Sequence, residues 1–538
     1  MKSSARKSVP TLHDRASGLL LHVTSLPGPH GNGDLGEEAH AFAELLARTG
    51  QRWWQMLPVG PAGYGDSPYS AESAFAGNPL MIDLDALGIE VDRPTLGART
   101  AGAVDYERAH AFRDKHLRRA FDAFTGRGSA RERKALAAFE ERSSQWLEDF
   151  ALFRALKRAH HDVQWTKWEE GPRLRKPAAL ARARKEHAKE IALAKFVQWK
   201  FDEQWSVLRS KCAALGIGLI GDLPIFVAHD SADVWQHPEV WKLDDDGDPD
   251  VVAGVPPDYF SSTGQRWGNP LYRWTHLAKS GYGWWVERVR AALARFDALR
   301  LDHFIGFVRY WQVPGHEDTA INGKWMKGPG KALFDAVQNA LGELDAPLPF
   351  IAEDLGAVTP EVTSLRRALG LPGMRIVQFA FGDDPQVELF KPHNHDASSV
   401  VYTGTHDNDT IAGWFDDAGD GKASTRTLAQ IEAERRRALA YLGIDIDIDI
   451  AVDAPRARDI HWHMIRLAMS SVARTAIIPV QDVLGLGSEA RMNSPGKAGG
   501  NWRWRLKPGA LDRAIEQRLL EVTRTYGRDT TSAQEKVS

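Results

Sequence analysis

The stretch "DALRLDH", residues 297–303, alternates apolar and polar side chains and ends close to a carboxylate. Successive side chains of a strand point to opposite faces, so Arg300 and Asp302 share one face while Leu299 and Leu301 share the other. The leucines suit a face that packs against helices. The segment therefore predicts a buried strand whose Arg–Asp pair points away from the helices.

Seven further apolar runs of similar length occur along the chain, and each is followed by a helical or inserted segment. They are "GLLLHV" (18–23), "RWWQML" (52–57), "GIGLIGD" (216–222), "LPFIAED" (348–354), "MRIVQFAF" (374–381), "SVVYTG" (399–404) and "TAIIPVQD" (475–482). Apolar runs separated by helical segments are typical of parallel strands covered by helices. Eight such units predict an α/β fold, a closed (β/α)8 TIM barrel.

Composition and charge narrow the classes of function. The 538 residues are 43% hydrophobic and 26% charged, and the net charge is −3, so neither nucleic acid nor a membrane is an expected partner. The single cysteine, Cys212, excludes an internal disulfide and a multi-cysteine metal site. The first residues lack the apolar core of a secretory signal and no apolar run would span a bilayer, so we expect a cytoplasmic protein.

A glycine pattern raises one alternative function. "HGNGDLG" (30–36) contains G-x-G-x-x-G after the first apolar run. In a dinucleotide site the first glycine follows the strand directly and an acid closes the second strand. Here "TSLPGPH" (24–30) intervenes and the second run ends in "QMLPVG" (55–60), without an acid. We interpret these glycines as shaping a loop, and titration with NAD would test the oxidoreductase alternative.

Carboxylates lie at the ends of several predicted strands. Asp302 ends one, Glu353 in "FIAEDLG" (350–356) ends the next, and Asp407 in "YTGTHDND" (402–409) follows a later one. In a (β/α)8 barrel such positions face the active site. The three fit glycoside chemistry, in which one carboxylate attacks and another donates a proton. Asp222 in "IGDLPIF" is a fourth, although any one of these acids alone would suit a helix cap or a structural ion pair.

Two intervals between predicted strands are too long for simple crossovers. Residues 84–210 are rich in Ala, Arg, Glu and Lys with helical periodicity, which predicts a mainly helical insertion. Residues 223–297 are rich in Pro, Gly, Trp and Asp, which predicts an irregular, site-forming insertion. We interpret residues 1–538 as a single catalytic barrel that carries both insertions.

Longer motifs resemble those of the amylomaltases or 4-α-glucanotransferases, glycoside hydrolase family 77, from about residue 17 to about residue 507. The motifs are "LPGPHGNGDLG" (26–36), "GYGDSPYS" (63–70), "FAGNPL" (75–80), "GDLPIFVAHDSADVW" (221–235), "VAGVPPDYFSSTGQRWGNPLYRW" (252–274), "IAEDLG" (351–356), "GTHDND" (404–409) and "QDVLGLGSEARMN" (481–493). The resemblance implies a (β/α)8 barrel with large insertions and no C-terminal β-domain.

The resemblance also implies an activity. It implies transfer of α-1,4-glucan segments between maltooligosaccharides or starch-type glucans, which serve as donor and acceptor, by a retaining double displacement, with cyclic products as a further outcome. No cofactor and no metal are expected. An α-glucan hydrolase on the same site and a non-catalytic glycan-binding protein are the alternatives. Neither the preferred chain length nor the oligomeric state follows from the residues.

The resemblance carries roles onto matching residues. It makes Asp302 the nucleophile, Glu353 the general acid/base, and Asp407 the carboxylate that binds sugar hydroxyls and stabilises the transition state. The residues it implies for substrate binding are Arg300, Asp222, His406, Tyr64, Tyr69, Tyr259, Phe260 and Trp267. Ile305 departs from the polar residue usual in the family at that position, which leaves the local rim contacts open.

A retaining mechanism requires a particular geometry of the two reacting carboxyl groups. They lie about 5–5.5 Å apart in retaining enzymes and roughly 6.5–9.5 Å apart in inverting ones. We predict the shorter separation for Asp302 and Glu353, with Asp407 on the same cleft and the 252–274 loop over it.

Overall fold

A computed structural model describes residues 8–92, 103–257, 261–342, 347–421, 424–444, 459–497 and 499–529. The strands within these ranges are β1 (Ala16–Leu20), β2 (Trp53–Gln55), β3 (Gly218–Pro224), β4 (Val251–Val255), β5 (Gln265–Pro270), β6 (Ala298–Asp302), β7 (Arg309–Pro314), β8 (Lys324–Lys327), β9 (Phe350–Ala352), β10 (Gly373–Ile376), β11 (Ser399–Tyr402) and β12 (Thr475–Pro479).

Eight parallel strands close into a barrel in the order β1-β2-β3-β6-β9-β10-β11-β12. Each of the eight predicted apolar runs overlaps one of these strands. The predicted (β/α)8 barrel is therefore confirmed.

The α-helices of the described ranges cover the barrel and fill the longer intervals. They are α1 (Glu37–Arg48), α2 (Tyr106–Arg127), α3 (Ala130–Arg142), α4 (Leu147–Ala159), α5 (Glu170–Arg173), α6 (Pro177–Glu186), α7 (Ala188–Leu215), α8 (Ala232–Gln236), α9 (Trp274–Lys279), α10 (Gly283–Arg295), α11 (Lys331–Leu341), α12 (Pro360–Ala368), α13 (Val387–Phe390), α14 (Ile411–Asp416), α15 (Leu428–Tyr441), α16 (Ile460–Ser470), α17 (Val480–Val483) and α18 (Arg513–Thr525). The helices α2 to α7 all lie between β2 and β3, and none of the described helices is long and apolar enough to cross a membrane.

A second sheet lies outside the barrel. Its strands pair antiparallel in the order β5-β4-β7-β8. Two of them lie between barrel strands β3 and β6, and the other two between β6 and β9. This sheet does not follow from the sequence pattern, because its pairing joins segments from two separate intervals.

Tight packing around Trp53 shows why barrel strands β1 and β3 each carry a glycine beside it. A Cβ added to Gly18 would lie 2.3 Å from the Trp53 carbonyl oxygen, and one added to Gly218 would lie 2.4 Å from the Trp53 ring. Trp53 and its neighbour Trp54 are fully buried. The backbone of Trp53 therefore leaves no room for a side chain at Gly18, and its indole leaves none at Gly218.

The glycine-rich loop after β1 is packed against protein. A Cβ on Gly33 would lie 2.2 Å from the carbonyl oxygen of Val23. Arg113 donates to Asp34 over 3.0 Å, and Arg505 donates to the Gly28 carbonyl over 3.0 Å. These contacts hold the loop in place, and they account for its glycines without a nucleotide.

Candidate active site

The acids predicted at strand ends gather at the carboxyl end of the barrel. Asp222 lies in β3, Asp302 ends β6 and Glu353 directly follows β9, and these three strands are consecutive in the barrel. Asp407 lies five residues beyond β11. Because all barrel strands are parallel, these carboxylates open onto the same face of the barrel.

Arg300 joins two of the carboxylates. The strand register places it directly opposite Asp222, and its Nη1 donates to both Asp222 oxygens over 2.9 and 2.7 Å. Its Nη2 lies 2.9 Å from Oδ1 of Asp302. Asp222 is fully buried, whereas 28% of the Asp302 side chain is exposed. The guanidinium therefore fixes Asp302 from behind while part of its carboxylate faces the cleft.

Glu353 is held by backbone donors. The N–H of His303 donates to its Oε2 over 2.7 Å, and the N–H of Leu355 donates to its Oε1 over 3.2 Å. Desolvation of the carboxyl raises the pKa of Glu353 to about 8, the negative charge of Asp302 adds to this, and Arg300 and the His303 N–H oppose it. At neutral pH the group is therefore mainly protonated, as a general acid must be.

Asp407 is anchored by residues that lie far along the chain. The Asn493 side-chain amide donates to its Oδ1 over 2.6 Å, and Arg491 donates to its backbone carbonyl over 2.6 Å. Nε2 of His406 lies 3.4 Å from its Oδ2. Neither Arg491 nor Asn493 was predicted as a site residue, although both lie in the family motif "QDVLGLGSEARMN". That motif is the signal that could have identified them.

An aromatic wall connects the ends of β3 and β11. The Tyr69 hydroxyl donates to Oδ2 of Asp222 over 2.7 Å, and its ring stacks on His406 with centroids 5.1 Å apart. Trp502 lies 5.7 Å from the Tyr69 ring and 5.9 Å from the His406 ring. Trp502 was not predicted as a site residue, because nothing in its local sequence places it beside Tyr69.

The remaining predicted rim residues lie in different surroundings. Trp267 on β5 is 38% exposed and meets the His303 ring edge-on, with centroids 4.9 Å apart. Tyr64 is 87% exposed, and the predicted residues Tyr259 and Phe260 lie outside the described residues. Ile305 is buried in the core, so its apolar side chain packs against protein and does not line the cleft.

Within the described ranges, no group of three or more His, Cys, Asp or Glu side chains is arranged to hold a metal ion. The cleft instead presents an exposed carboxylate beside a guanidinium, a protonated carboxyl on the adjacent strand, and hydrogen-bonding groups around them. These groups have the chemistry that a nucleophile, a proton donor and binding sites for hydroxyl groups require.

Replacing Tyr69 by Phe should lower the rate of the reaction at this site by about 10- to 100-fold. The change removes a hydrogen bond to a buried carboxylate, which contributes roughly 1.5–3 kcal/mol. Steady-state kinetics on maltotriose would measure the effect. Tyr526→Phe is the matched control, since Tyr526 directly follows α18, packs against Arg466 and is not among the residues of the site, and we expect less than about a 2-fold change there. Equal losses in both variants would contradict the role of the Tyr69 hydroxyl.

Comparison with known proteins gives a consistent result. The family model described as 4-alpha-glucanotransferase, glycoside hydrolase family 77, matches residues 21–512. The chain is 50% identical over 504 residues to the 4-alpha-glucanotransferase of Thermus thermophilus, covering 92% of this chain and 96% of that protein. It is 43% identical over 524 residues to that of Synechocystis sp., covering 96% and 99%. The amylomaltase from Streptococcus agalactiae in complex with acarbose superposes with a TM-score of 0.87 at 36% identity, covering 96% and 99%.

Proposed function

The chain belongs to glycoside hydrolase family 77, the 4-alpha-glucanotransferases, and on that premise we propose how its carboxylates perform a retaining double displacement on α-1,4-glucans. The activity is that of a transglycosylase, which moves a glucan segment from a donor to an acceptor. The observation that carries the assignment of roles is the pairing of Asp302, which Arg300 contacts, with a partly buried Glu353 at the end of the adjacent strand.

In the first step the bond between two glucosyl units of the donor breaks. Glu353 protonates the glycosidic oxygen of the leaving segment while the Asp302 carboxylate attacks the anomeric carbon. The leaving segment departs with the proton of Glu353 and a free 4-hydroxyl. The donor glucosyl unit stays attached to Asp302 as a β-linked ester.

In the second step the ester is resolved by an acceptor. Glu353, now ionised, removes the proton from the 4-hydroxyl of another glucan, and that oxygen attacks the anomeric carbon. Asp302 leaves as a carboxylate and the new linkage has the α configuration. Two inversions give retention, and both residues return to their starting protonation states.

Neighbouring groups stabilise the positive charge that develops on the sugar in the oxocarbenium-like transition state of each step. Asp407, positioned by Asn493, binds hydroxyls of the sugar that reacts, together with His406 and Asp222. Hydrogen bonds of this kind accelerate the reaction where they are stronger in the oxocarbenium-like transition state than in the ground state. Arg300 keeps Asp302 and Asp222 in place through its two nitrogens.

Transfer competes with hydrolysis at the second step. An exposed Trp267 next to His303 offers a flat surface on which an acceptor sugar stacks. A bound acceptor displaces water and holds its hydroxyl close to the ester. We assign the predicted Tyr259 and Phe260 to the same acceptor region.

Incubation with pure maltotriose tests the proposed activity. A transferase yields glucose together with maltooligosaccharides longer than maltotriose, because each bond broken is replaced by a bond formed. Product chromatography combined with a reducing-end assay should therefore show longer products at a constant number of reducing ends. A rising number of reducing ends without longer products would establish the hydrolase alternative instead.

The rate of the first step should fall as the pH rises through about 8. Glu353, with its pKa raised to about 8, is an effective acid only while protonated, so kcat/KM on maltotriose declines about tenfold per pH unit above that value. An α-glucosyl fluoride donor is the control, because fluoride leaves without protonation. The same alkaline decline on both donors would contradict the assignment of this pKa to the acid.

We further propose the organisation and location of the protein. A single catalytic barrel carries the helical insertion 84–210, supported by helices α2 to α7, and the site-forming insertion 223–297, supported by strands β4 and β5. A cytoplasmic location is supported by the lone Cys212, a buried thiol whose pKa desolvation raises to about 12. The family supports glucans as partners, and the net charge of −3 gives no electrostatic reason to expect nucleic acid or a membrane.

A further inference from the structure

A cavity of about 980 Å³ lies on the flank of the barrel, and we call it the flank groove. Helices α7 and α10 form two of its walls, and the end of α3 with the start of α4 forms another. Segment 236–240 at the end of α8 also lines it, together with α9 and Phe75. None of the residues assigned above to catalysis or substrate binding lines this cavity, so it is separate from the active site.

The charges in the lining balance one another. Arg142 lies 2.5 Å from Asp202 and Arg209 lies 3.1 Å from Asp297, while Arg290 pairs with Glu287. The lining residues that carry full charges are Arg142, Arg209, Arg290 and Arg295 against Asp202, Glu239, Glu287 and Asp297. A groove with four charges of each sign attracts neither an anion nor a cation, so its chemistry favours a neutral polar ligand.

Aromatic rings lie among these polar groups. Trp146 and Trp284 are both partly exposed, and both line the groove. Phe75 packs between them, with ring centroids 6.4 Å from Trp146 and 6.1 Å from Trp284. Their neighbours fix these rings, so each indole offers a rigid apolar surface with little loss of side-chain entropy on binding.

A glucan chain matches this combination. It is neutral, its hydroxyls both donate and accept hydrogen bonds, and its sugar rings have apolar faces. The volume of the groove lies at the upper end of the roughly 300–1,000 Å³ found for small-molecule sites. The lining therefore fits an oligosaccharide of several units better than a single small metabolite.

We propose that the flank groove is a second, non-catalytic binding site for linear α-1,4-glucan chains. The proposal rests on the proposed function for the class of ligand. A long glucan held in the groove stays near the enzyme between turnovers, so its effective concentration at the cleft rises without a new catalytic contact. Short donors such as maltotriose gain nothing from the groove, because they do not remain tethered while they react.

Ser206 and Val207 on α7 provide a matched pair of test positions. Both are exposed, but Ser206 lines the groove and Val207 does not, since adjacent helical residues point about 100° apart. Ser206→Trp should fill the groove, whereas Val207→Trp adds the same side chain outside it. Thermal unfolding of both variants would verify that the helix tolerates the indole.

Hydrogen exchange with maltoheptaose locates the site directly. The measurement uses the full chain with Asp302→Asn, so that the ligand is not turned over. We expect maltoheptaose to slow hydrogen exchange in residues 202–213 and 283–295 of the Asp302→Asn protein. The same slowing should occur when Val207→Trp is added to Asp302→Asn, but not when Ser206→Trp is added. Protection around the catalytic residues without protection of these two helical segments would overturn the proposal.

Kinetics on amylose provide the second readout. Ser206→Trp should raise the half-saturating amylose concentration by about 3- to 10-fold and leave maltotriose turnover unchanged, while Val207→Trp changes neither. The proposed glucan site would be refuted if Ser206→Trp left the amylose kinetics unaltered. It would also be refuted if sedimentation showed that a second copy of the chain occupies the groove. Failure of maltotriose to give longer products would contradict the proposed function alone, since the exchange measurement needs no turnover.

Discussion

Replacing Asp302 by Asn is expected to abolish transfer between maltooligosaccharides, with a loss of at least about 10⁴-fold in kcat/KM. The amide is nearly isosteric but has no negative charge with which to attack the anomeric carbon. Its oxygen still accepts from Arg300, which keeps both contacts to Asp222. The free energy of unfolding should therefore change by only about 1 kcal/mol.

Chemical rescue makes this test specific for a nucleophile. In Asp302→Ala, azide can enter the vacated space and attack an α-glucosyl fluoride from the side that the carboxylate used. The expected product is the β-glucosyl azide, because the sugar then undergoes a single inversion. Substantial activity of pure Asp302→Asn on maltotriose, or an α-glucosyl azide from Asp302→Ala, would show that another group attacks.

The second large effect is expected for Glu353→Gln. Turnover of maltotriose should fall by about 10²- to 10⁴-fold, because the glutamine donates no proton to the leaving oxygen. The first step on an α-glucosyl fluoride should be nearly unaffected, since fluoride needs no proton. The glutamine oxygen still accepts the N–H of His303, the shorter of the two bonds, and only the longer bond from Leu355 is lost, so the fold should persist.

The stereochemistry of the azide product distinguishes the roles of the two carboxylates. In Glu353→Ala the nucleophile is intact, so azide attacks the β-linked ester on Asp302 and yields the α-glucosyl azide. The Asp302 variant gives the opposite anomer, and product analysis by NMR distinguishes them. Equal losses of Glu353→Gln on maltotriose and on the fluoride would instead indicate a structural or binding role.

These roles also require the predicted spacing of the two carboxyl groups. Because Asp302 and Glu353 end adjacent parallel strands, β6 and β9, they are well placed for the roughly 5–5.5 Å of a retaining enzyme. A structure with a bound oligosaccharide would measure the separation. A larger separation, which leaves room for a water between one carboxyl group and the sugar, would favour an inverting reaction.

The sequence by itself determined the barrel strands and the positions of the acids on them. Apolar runs and their alternation are local properties, so "DALRLDH" already indicated that Arg300 and Asp302 share one face. The order of helices and strands then led to the eight-stranded barrel. The family motifs added the roles of Asp302, Glu353 and Asp407, which remain predictions for this chain until the variants above are measured.

Only the tertiary structure decided which groups meet. Arg300 binds Asp222, 78 residues earlier, because the register of β3 and β6 sets them opposite one another. Asn493 reaches Asp407 across 86 residues, and Trp502 joins Tyr69 through a loop that no local pattern predicts. The antiparallel sheet and the flank groove likewise arise from segments that are distant in sequence.

The state of Glu353 gives the physical reason for this division. Its pKa depends on how many atoms exclude water from the carboxyl and on the charges of Asp302 and Arg300 around it. Strand and helix patterns follow from the spacing of side chains along the chain, which the sequence displays. Desolvation, strand register and charge–charge distance depend on the packing of remote segments, and these quantities are fixed only when the barrel closes.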